Sequence, residues 1–211
     1  MDAREWDERY SGRELVWSVT PNQFVVSELE HLTPGRALDV ASGEGRNAIW
    51  LAGRGWRVTA VDFSAAGLAK ARELHEAHQS AGSMHVDWVH ADVLEYDAEN
   101  GGYDLALLAY LQLPPDQRRQ SVRRAFDALA PDGTLFVIAH DSTNLTEGSG
   151  GPPDPTVLFT AEDILDDLAG YEFRVDRAER VARVVVPAND HEHAGEPEQT
   201  AYDALVRLRR A

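Results

Sequence analysis

The chain has 211 residues, 43% of them hydrophobic and none of them cysteine. That length suits one domain with additions, and the missing thiols exclude a disulfide scaffold, a cysteine nucleophile and a thiolate metal site. Asp plus Glu number 36 against 20 Lys plus Arg, a formal charge of -16, and such a field repels phosphate backbones and anionic lipid heads, which argues against nucleic-acid and membrane partners.

The opening MDAREWDERY is charged, so it does not read as a signal peptide. No run approaches the ~18 apolar residues of a spanning helix, and a cytoplasmic location is the default expectation. Strand-like and helix-like segments then alternate from about residue 36 to residue 140, the pattern of βαβ units on a parallel sheet. The first strand is RALDVAS, 36–42, followed by a Gly-rich turn and a helix carrying Ala48, Ile49, Leu51 and Ala52. WRVTAVDF, 56–63, reads as the second strand, and Ser64 stands where the next helix needs an N-cap. MHVDWVHADV, 84–93, is the third strand. YDLALLAY, 103–110, is the fourth, apolar enough to be buried on both faces. Pro114 and Pro115 open a helix whose core stripe is Val122, Ala125, Phe126 and Leu129. The arginines of QRRQSVRR, 117–124, read as its solvated face. The fifth strand is TLFVIAH, ending at His140, and the Gly- and Pro-rich stretch 142–156 is long enough to be a functional loop. A short helix at about 160–169 and two strand-like runs, about 171–187 and 200–209, close the chain. Between those runs, Asp190, His191, Glu192 and His193 read as a polar hairpin loop and not as a metal site.

The most specific signal is LDVASGEGRNAIWLA, 38–52. Gly43, Gly45 and Ala48 fit the G-x-G-x-x-G/A fingerprint, in which glycines allow a tight turn and close backbone approach to a ligand at a helix N-terminus. Asp62 follows Gly43 by 19 residues at the end of the second strand, where a carboxylate accepts from ribose hydroxyls. An adenosine-type cofactor is indicated. The glycine spacing alone also permits an NAD(P)-dependent oxidoreductase. Asp39 opposes it, because a carboxylate beside this turn repels a pyrophosphate and favours the cationic ammonium and sulfonium of S-adenosylmethionine. Asp92, ending the third strand, is suited to accept from the adenine amine, with Val93 against the ring.

These segments, with VDFS, ADV and YDLALLAYLQL, resemble class I S-adenosylmethionine-dependent methyltransferases. The lead-in WDERYSGRELVWSVTPNQFV is similar to that of the tellurite-resistance and thiopurine methyltransferase-like branch. The resemblance covers about residues 6–140. It implies a Rossmann-like α/β three-layer sandwich with a seven-stranded, mostly parallel sheet ending in a C-terminal antiparallel hairpin. One domain over 1–211 is expected: a helical lid segment at 1–35, the cofactor core at 36–140, and an acceptor-side loop and closing hairpin at 141–211. The resemblance also implies site roles. Asp39, Ser42, Gly43 and Gly45 hold the methionine part of the cofactor. Asp62 takes the ribose, Phe63, Asp92 and Val93 surround the adenine, and Ala109, Tyr110 and Leu111 line the methionine moiety. Tyr10 and Trp17 close over it. One departure is Ala41, where the family has glycine; Ser42 follows at a usually small position.

On the acceptor side, His140 and Asp141 end the fifth strand and so face the crevice at the carboxyl ends of the sheet. His140, with an ordinary pKa near neutrality, is the candidate general base. The loop 142–156 is the expected acceptor lid, with Asn144 and Phe159 as pocket residues. The resulting expectation is methyl transfer to a small-molecule nucleophile, with no metal, by a monomer or homodimer. A cofactor-binding domain that has lost transfer activity is the non-enzymatic rival, and Ala41 is its only hint.

Overall fold

The computed structural model describes residues 3–12, 14–78, 84–185 and 199–211. The run Asp190 to His193 lies outside the described residues. Seven strands form one sheet: β1 (Arg36–Val40), β2 (Arg57–Asp62), β3 (His85–His90), β4 (Tyr103–Ala109), β5 (Leu129–His140), β6 (Phe173–Val185) and β7 (Gln199–Arg210). Their order is β3-β2-β1-β4-β5-β7-β6. The first five run parallel, and β7 inserts antiparallel between β5 and β6. This is the expected Rossmann-like sandwich. The strand order reverses between β1 and β4, so the ligand crevice of such a sheet opens at their carboxyl ends.

The helices are α1 (Ala3–Tyr10), α2 (Gln23–Leu29), α3 (Arg46–Gly53), α4 (Ala65–His78), α5 (Pro115–Asp127), α6 (Asn144–Glu147) and α7 (Ala161–Asp167). Alternation along the central strands decides which layer each side chain enters. Leu38, Val40, Ala106 and Leu108 pack with Val122, Phe126, Ile164 and Leu168 on the α5 and α7 side. Ala37, Leu105 and Leu107 pack with Val25, Leu29, Ala48 and Leu51 on the α2 and α3 side. Burial of each such aliphatic side chain contributes roughly 1.5–3 kcal/mol. The run read as a strand buried on both faces is so buried.

Several boundaries differ from the sequence reading, each for a local reason. β1 stops at Val40 because Ala41 turns the chain with φ 60°. β3 stops at His90, since Asp92 curls the chain: its Oδ1 accepts from Leu94 N and its carbonyl from Tyr96 N. β5 starts earlier, at Leu129, with the Pro131-Asp132-Gly133 turn contained within it as a break in register against β4. The arginines of α5 are not a purely solvated face. Arg118 is buried, its Nε 2.6 Å from Asp167 Oδ2 and its guanidinium over the Phe159 ring. Arg123 Nε donates to the Asp167 carbonyl. Charge pairing with α7 overrides the solvation expected from composition.

The stretch 142–156 is a stitched loop rather than a free lid. It contains α6, Ser149 N donates to Thr200 O, and buried Asn144 joins Gly150 O to Tyr202 N. Asn144 therefore holds backbone together, and Phe159 lies in the core with 1% exposure. At the other end, α1 docks on the start of α4. Ser64 caps that helix as read, accepting from Gly67 N. Asp7 adds its carboxylate, which accepts from Ser64 Oγ and Ala66 N.

Candidate active site

The turn after β1 is built on three positive φ angles: 60° at Ala41, 54° at Gly43 and 78° at Gly45. Ala41 thus adopts the left-handed region despite its methyl group, at a cost of roughly 1–2 kcal/mol. Asp62 braces the turn. Its Oδ2 accepts from Gly43 N and its Oδ1 from Ser64 N, both at 2.8 Å. Burial raises the Asp62 pKa above the ordinary value, and these two donors oppose that shift.

Asp39 lies beneath the turn with 1% exposure. The Ala48 N–H of the first turn of α3 donates to it, yet Oδ2 has no partner. Burial first, and the neighbouring Asp62 charge second, push its carboxyl up to about 7; Ala48 and Arg46 act in the opposite direction. The Ser42 hydroxyl is also buried without a partner. Such groups are costly to leave unpaired, and here two of them converge on one Gly-rich turn.

The N-terminal segment covers this turn. Tyr10 is buried against Gly43 and Gly67, where added Cβ atoms meet its hydroxyl at 2.7 Å and its ring at 3.1 Å. Trp17 Nε1 donates to the Tyr10 hydroxyl at 3.3 Å. Glu44, in the turn itself, clamps the cover: its carboxylate accepts from Val16 N and Trp17 N and pairs with Lys70 at 3.2 Å.

Gly45 also has a packing reason to be glycine. A Cβ there falls 2.4 Å from the Trp88 ring and 3.0 Å from Ala71, so the glycine admits β3 and α4 side chains. Gly45→Ala is expected to lose about 2–4 kcal/mol, from overpacking plus the left-handed φ, read as a shifted urea midpoint.

The remaining predicted residues divide between two sides of the sheet. Phe63 is half-buried, its carbonyl accepting from His90 Nε2. Asp92 is exposed with Oδ1 spent on Leu94 N. Val93 lines a crevice with Leu38, Val61, Tyr96 and Ala98. Leu111 lines an adjoining one with Leu108, Leu113 and Phe159. Ala109 and Tyr110 pack on the opposite, α2 and α3, layer. Tyr110 has φ 58°, and its hydroxyl donates to Asp203 Oδ2 at 2.8 Å while accepting from Asn22 Nδ2. Its ring lies 5.1 Å from that of His140.

Asp203 organises the acceptor side and was not foreseen. It pairs in register with His140 across β5 and β7 and is fully buried. Arg183 Nε donates to its Oδ2 at 2.9 Å. His140 Nδ1 stands 3.3 Å from Oδ1, an ion-pair distance without hydrogen-bond alignment. Burial acts to raise the Asp203 pKa, but His140, Arg183 and Tyr110 outweigh it and hold the carboxyl below its ordinary value. Asp141 does not join this cluster. Its Oδ1 accepts from Thr143 N and Oγ1, so it closes a turn at the strand end. The available signal for Asp203 was a lone carboxylate inside the apolar run AYDALV. Arg46, Glu44 and Asp7 carried no comparable signal.

A model of the methyltransferase domain family matches residues 37–133. The putative methyltransferase YqeM of Bacillus subtilis is 29% identical over 135 residues, 62% of this chain and 51% of YqeM. TehB from Haemophilus influenzae superimposes with a TM-score of 0.70 at 14% identity, over 99% of this chain and 67% of that one. The N-methyltransferase NodS from Bradyrhizobium japonicum, solved with S-adenosylhomocysteine, gives 0.70 at 17% identity over 99% and 97%. Residues 37–133 thus match the methyltransferase domain family, and the whole chain shares its fold with TehB and NodS. It spans about half the length of the curated relatives it matches, and the solved structures speak for the fold. No helix among the described residues is long and apolar enough to cross a membrane, and no three or more His, Asp or Glu among them could hold a metal ion.

Proposed function

We propose that this methyltransferase moves the methyl group of S-adenosylmethionine to a small-molecule nucleophile. One observation carries the reading: the Asp39 carboxylate, buried beneath the Gly-rich turn with one oxygen unpartnered. A cationic ammonium satisfies that oxygen, whereas the pyrophosphate of a dinucleotide is repelled by it. The Ser42 hydroxyl is a second partner for the amino-acid end of the cofactor. Asp62 has lone pairs remaining for ribose after its two backbone donors, and Val93 offers an apolar wall to the adenine. Tyr10 and Trp17 exclude water from above.

When bound, the cofactor supplies a methyl carbon already activated by its sulfonium. The chain's own residues then need only set the approach and receive a proton. His140 is the group we assign to the proton, with Asp203 behind its Nδ1. The strong negative charge supports a small acceptor over nucleic acid, in a cytoplasmic monomer or homodimer.

Calorimetric titration with S-adenosylhomocysteine, and separately with NADH, tests this reading. We expect saturable binding of the first. Asp62→Ala is expected to weaken it by about 100-fold, since two hydrogen bonds to a charged group are lost together with the brace on Gly43. Binding of NADH alone would sink the proposal. Binding of S-adenosylhomocysteine without turnover on a broad acceptor panel would favour a domain that only holds the cofactor.

A further inference from the structure

Residues 14–22 lead into α2 without helix or strand, and they pass over the Gly-rich turn. Both flanks of this strap are fixed. On one side α1 ends at Tyr10, 4% exposed, and Asp7 ties that helix to Ser64 and Ala66. On the other, Asn22 N donates to Asn47 Oδ1 at 3.0 Å, and Val25 and Leu29 of α2 lie in the core. The strap between them buries little: Trp17 is 37% and Val19 54% exposed. Few buried apolar contacts make a segment easy to open locally. Two charged side chains hold it instead. Glu44 projects from between Gly43 and Gly45, and its carboxylate accepts from Val16 N at 3.1 Å and Trp17 N at 3.0 Å. Lys70 of α4 pairs with the same carboxylate at 3.2 Å and donates to the Glu14 carbonyl at 2.6 Å.

Lys70 is the only lysine in a chain with 20 Lys plus Arg. One ion pair thus grips the strap backbone through both of its ends, two amides on the carboxylate and one carbonyl on the ammonium. When the strap lifts, both ions and the freed backbone groups regain water. The closed form is therefore favoured by the modest net worth of charge-assisted hydrogen bonds, and not by a core. The strap also carries the cover of the turn, since Trp17 Nε1 donates to the Tyr10 hydroxyl above Gly43. We infer that residues 14–17 lift to let the cofactor on and off the Gly-rich turn, and that Glu44 and Lys70 are the latch. The latch sets how fast the cofactor exchanges and not how tightly it is held. This inference rests on the methyltransferase reading for the identity of what passes, but the latch itself does not.

The test follows radiolabelled S-adenosylhomocysteine on the full chain, with dissociation chased by unlabelled ligand and Kd measured by equilibrium dialysis. Lys70→Met is expected to speed dissociation about tenfold, the worth of one hydrogen bond to a charged group. Kd is expected to stay within about twofold, because the latch closes before and after binding and association accelerates in step. Lys70→Arg, which keeps the charge, is expected to retain slow exchange, with circular dichroism reporting that each variant is folded. A residue that held the ligand directly would raise Kd in proportion to the dissociation rate. That outcome in Lys70→Met would overturn the inference, and so would an unaltered dissociation rate. A second measurement leaves Lys70 in place. Acetic anhydride acylates its free amine: an N–C bond forms, acetate leaves, and the ammonium proton goes to water. Peptide mass spectrometry reads the one modified lysine. Acylation is expected to be about tenfold faster in Glu44→Gln than in the unmodified chain, and equal rates would overturn the latch. Failure of the unmodified chain to bind S-adenosylhomocysteine would sink the methyltransferase reading, and the acylation rates would then decide the latch on their own.

Discussion

Asp39→Asn is expected to give a cofactor-free protein more stable than the wild type at pH 8, and one that binds S-adenosylhomocysteine at least tenfold more weakly. Both effects come from the same buried oxygen. The folded carboxyl sits at about 7, against roughly 3.9 in an unfolded chain. Below the lower value both states hold the proton and no penalty exists. Between the two, the folded state keeps a proton that the unfolded state releases, so stability falls as pH rises. Above 7 the penalty is complete, roughly 4 kcal/mol at 1.36 kcal/mol per pKa unit. Asparagine keeps the oxygen that accepts from Ala48 N–H and removes the charge, which Asp62 disfavours more than Arg46 favours it. Urea unfolding of both proteins is expected to show the variant ahead at pH 8 and the gap closing toward pH 4. Cofactor binding runs the opposite way. A bound ammonium favours the ionised carboxyl, so wild-type affinity rises with pH through 7 and binding at pH 6 releases a proton, seen by calorimetry in buffers of different ionisation enthalpy. The variant releases none at this position. A variant less stable than wild type at pH 8 would show that Asp39 holds the turn together rather than waiting for a cation.

How much of this was legible in the sequence follows from the range of each interaction. The seven strands, the Gly-rich turn and the Ser64 cap were readable because each depends on neighbours in the chain: alternation, positive φ, or an N-cap three residues from its donor. The packing constraint on Gly45 was not readable, because the Trp88 ring that a Cβ would meet lies on β3. Arg118 was misread because its partner Asp167 sits on α7, and composition alone assigns an arginine to solvent. Asp141 and Asp203 illustrate the same point in one register. The carboxylate next to His140 in sequence is spent on a turn. The one next to it in space comes from β7. Antiparallel pairing with a strand more than sixty residues away brings that group to the site, and no local pattern encodes it.

Asp203→Ala is expected to cost about 3–5 kcal/mol, because removing one partner of a buried pair strands the other. Arg183 then keeps a half-buried charge with no carboxylate, the Tyr110 hydroxyl loses its acceptor, and His140 loses the group behind Nδ1. The coupling, rather than the single loss, identifies the mechanism. The double variant Asp203→Leu with Arg183→Met removes both charges and fills the space, so it is expected to be more stable than Asp203→Leu alone. The pH dependence has a definite sign. Asp203 is held below its ordinary value, so its contribution is present above the unfolded pKa near 3.9 and fades as pH falls through the lower, folded value. The stability difference between wild type and Asp203→Asn is therefore expected to stay flat from pH 8 to about pH 5 and to shrink only in acid. On turnover, a purely structural Asp203 lowers the amount of active protein without moving the pH profile. If Asp203 holds His140 in the orientation that receives the acceptor's proton, Asp203→Asn moves the acidic limb of the rate profile to lower pH, because the imidazole has lost the negative charge that favours its protonated form. The direction of that limb thus separates a buried ion pair that merely joins β6 and β7 from one that positions a base.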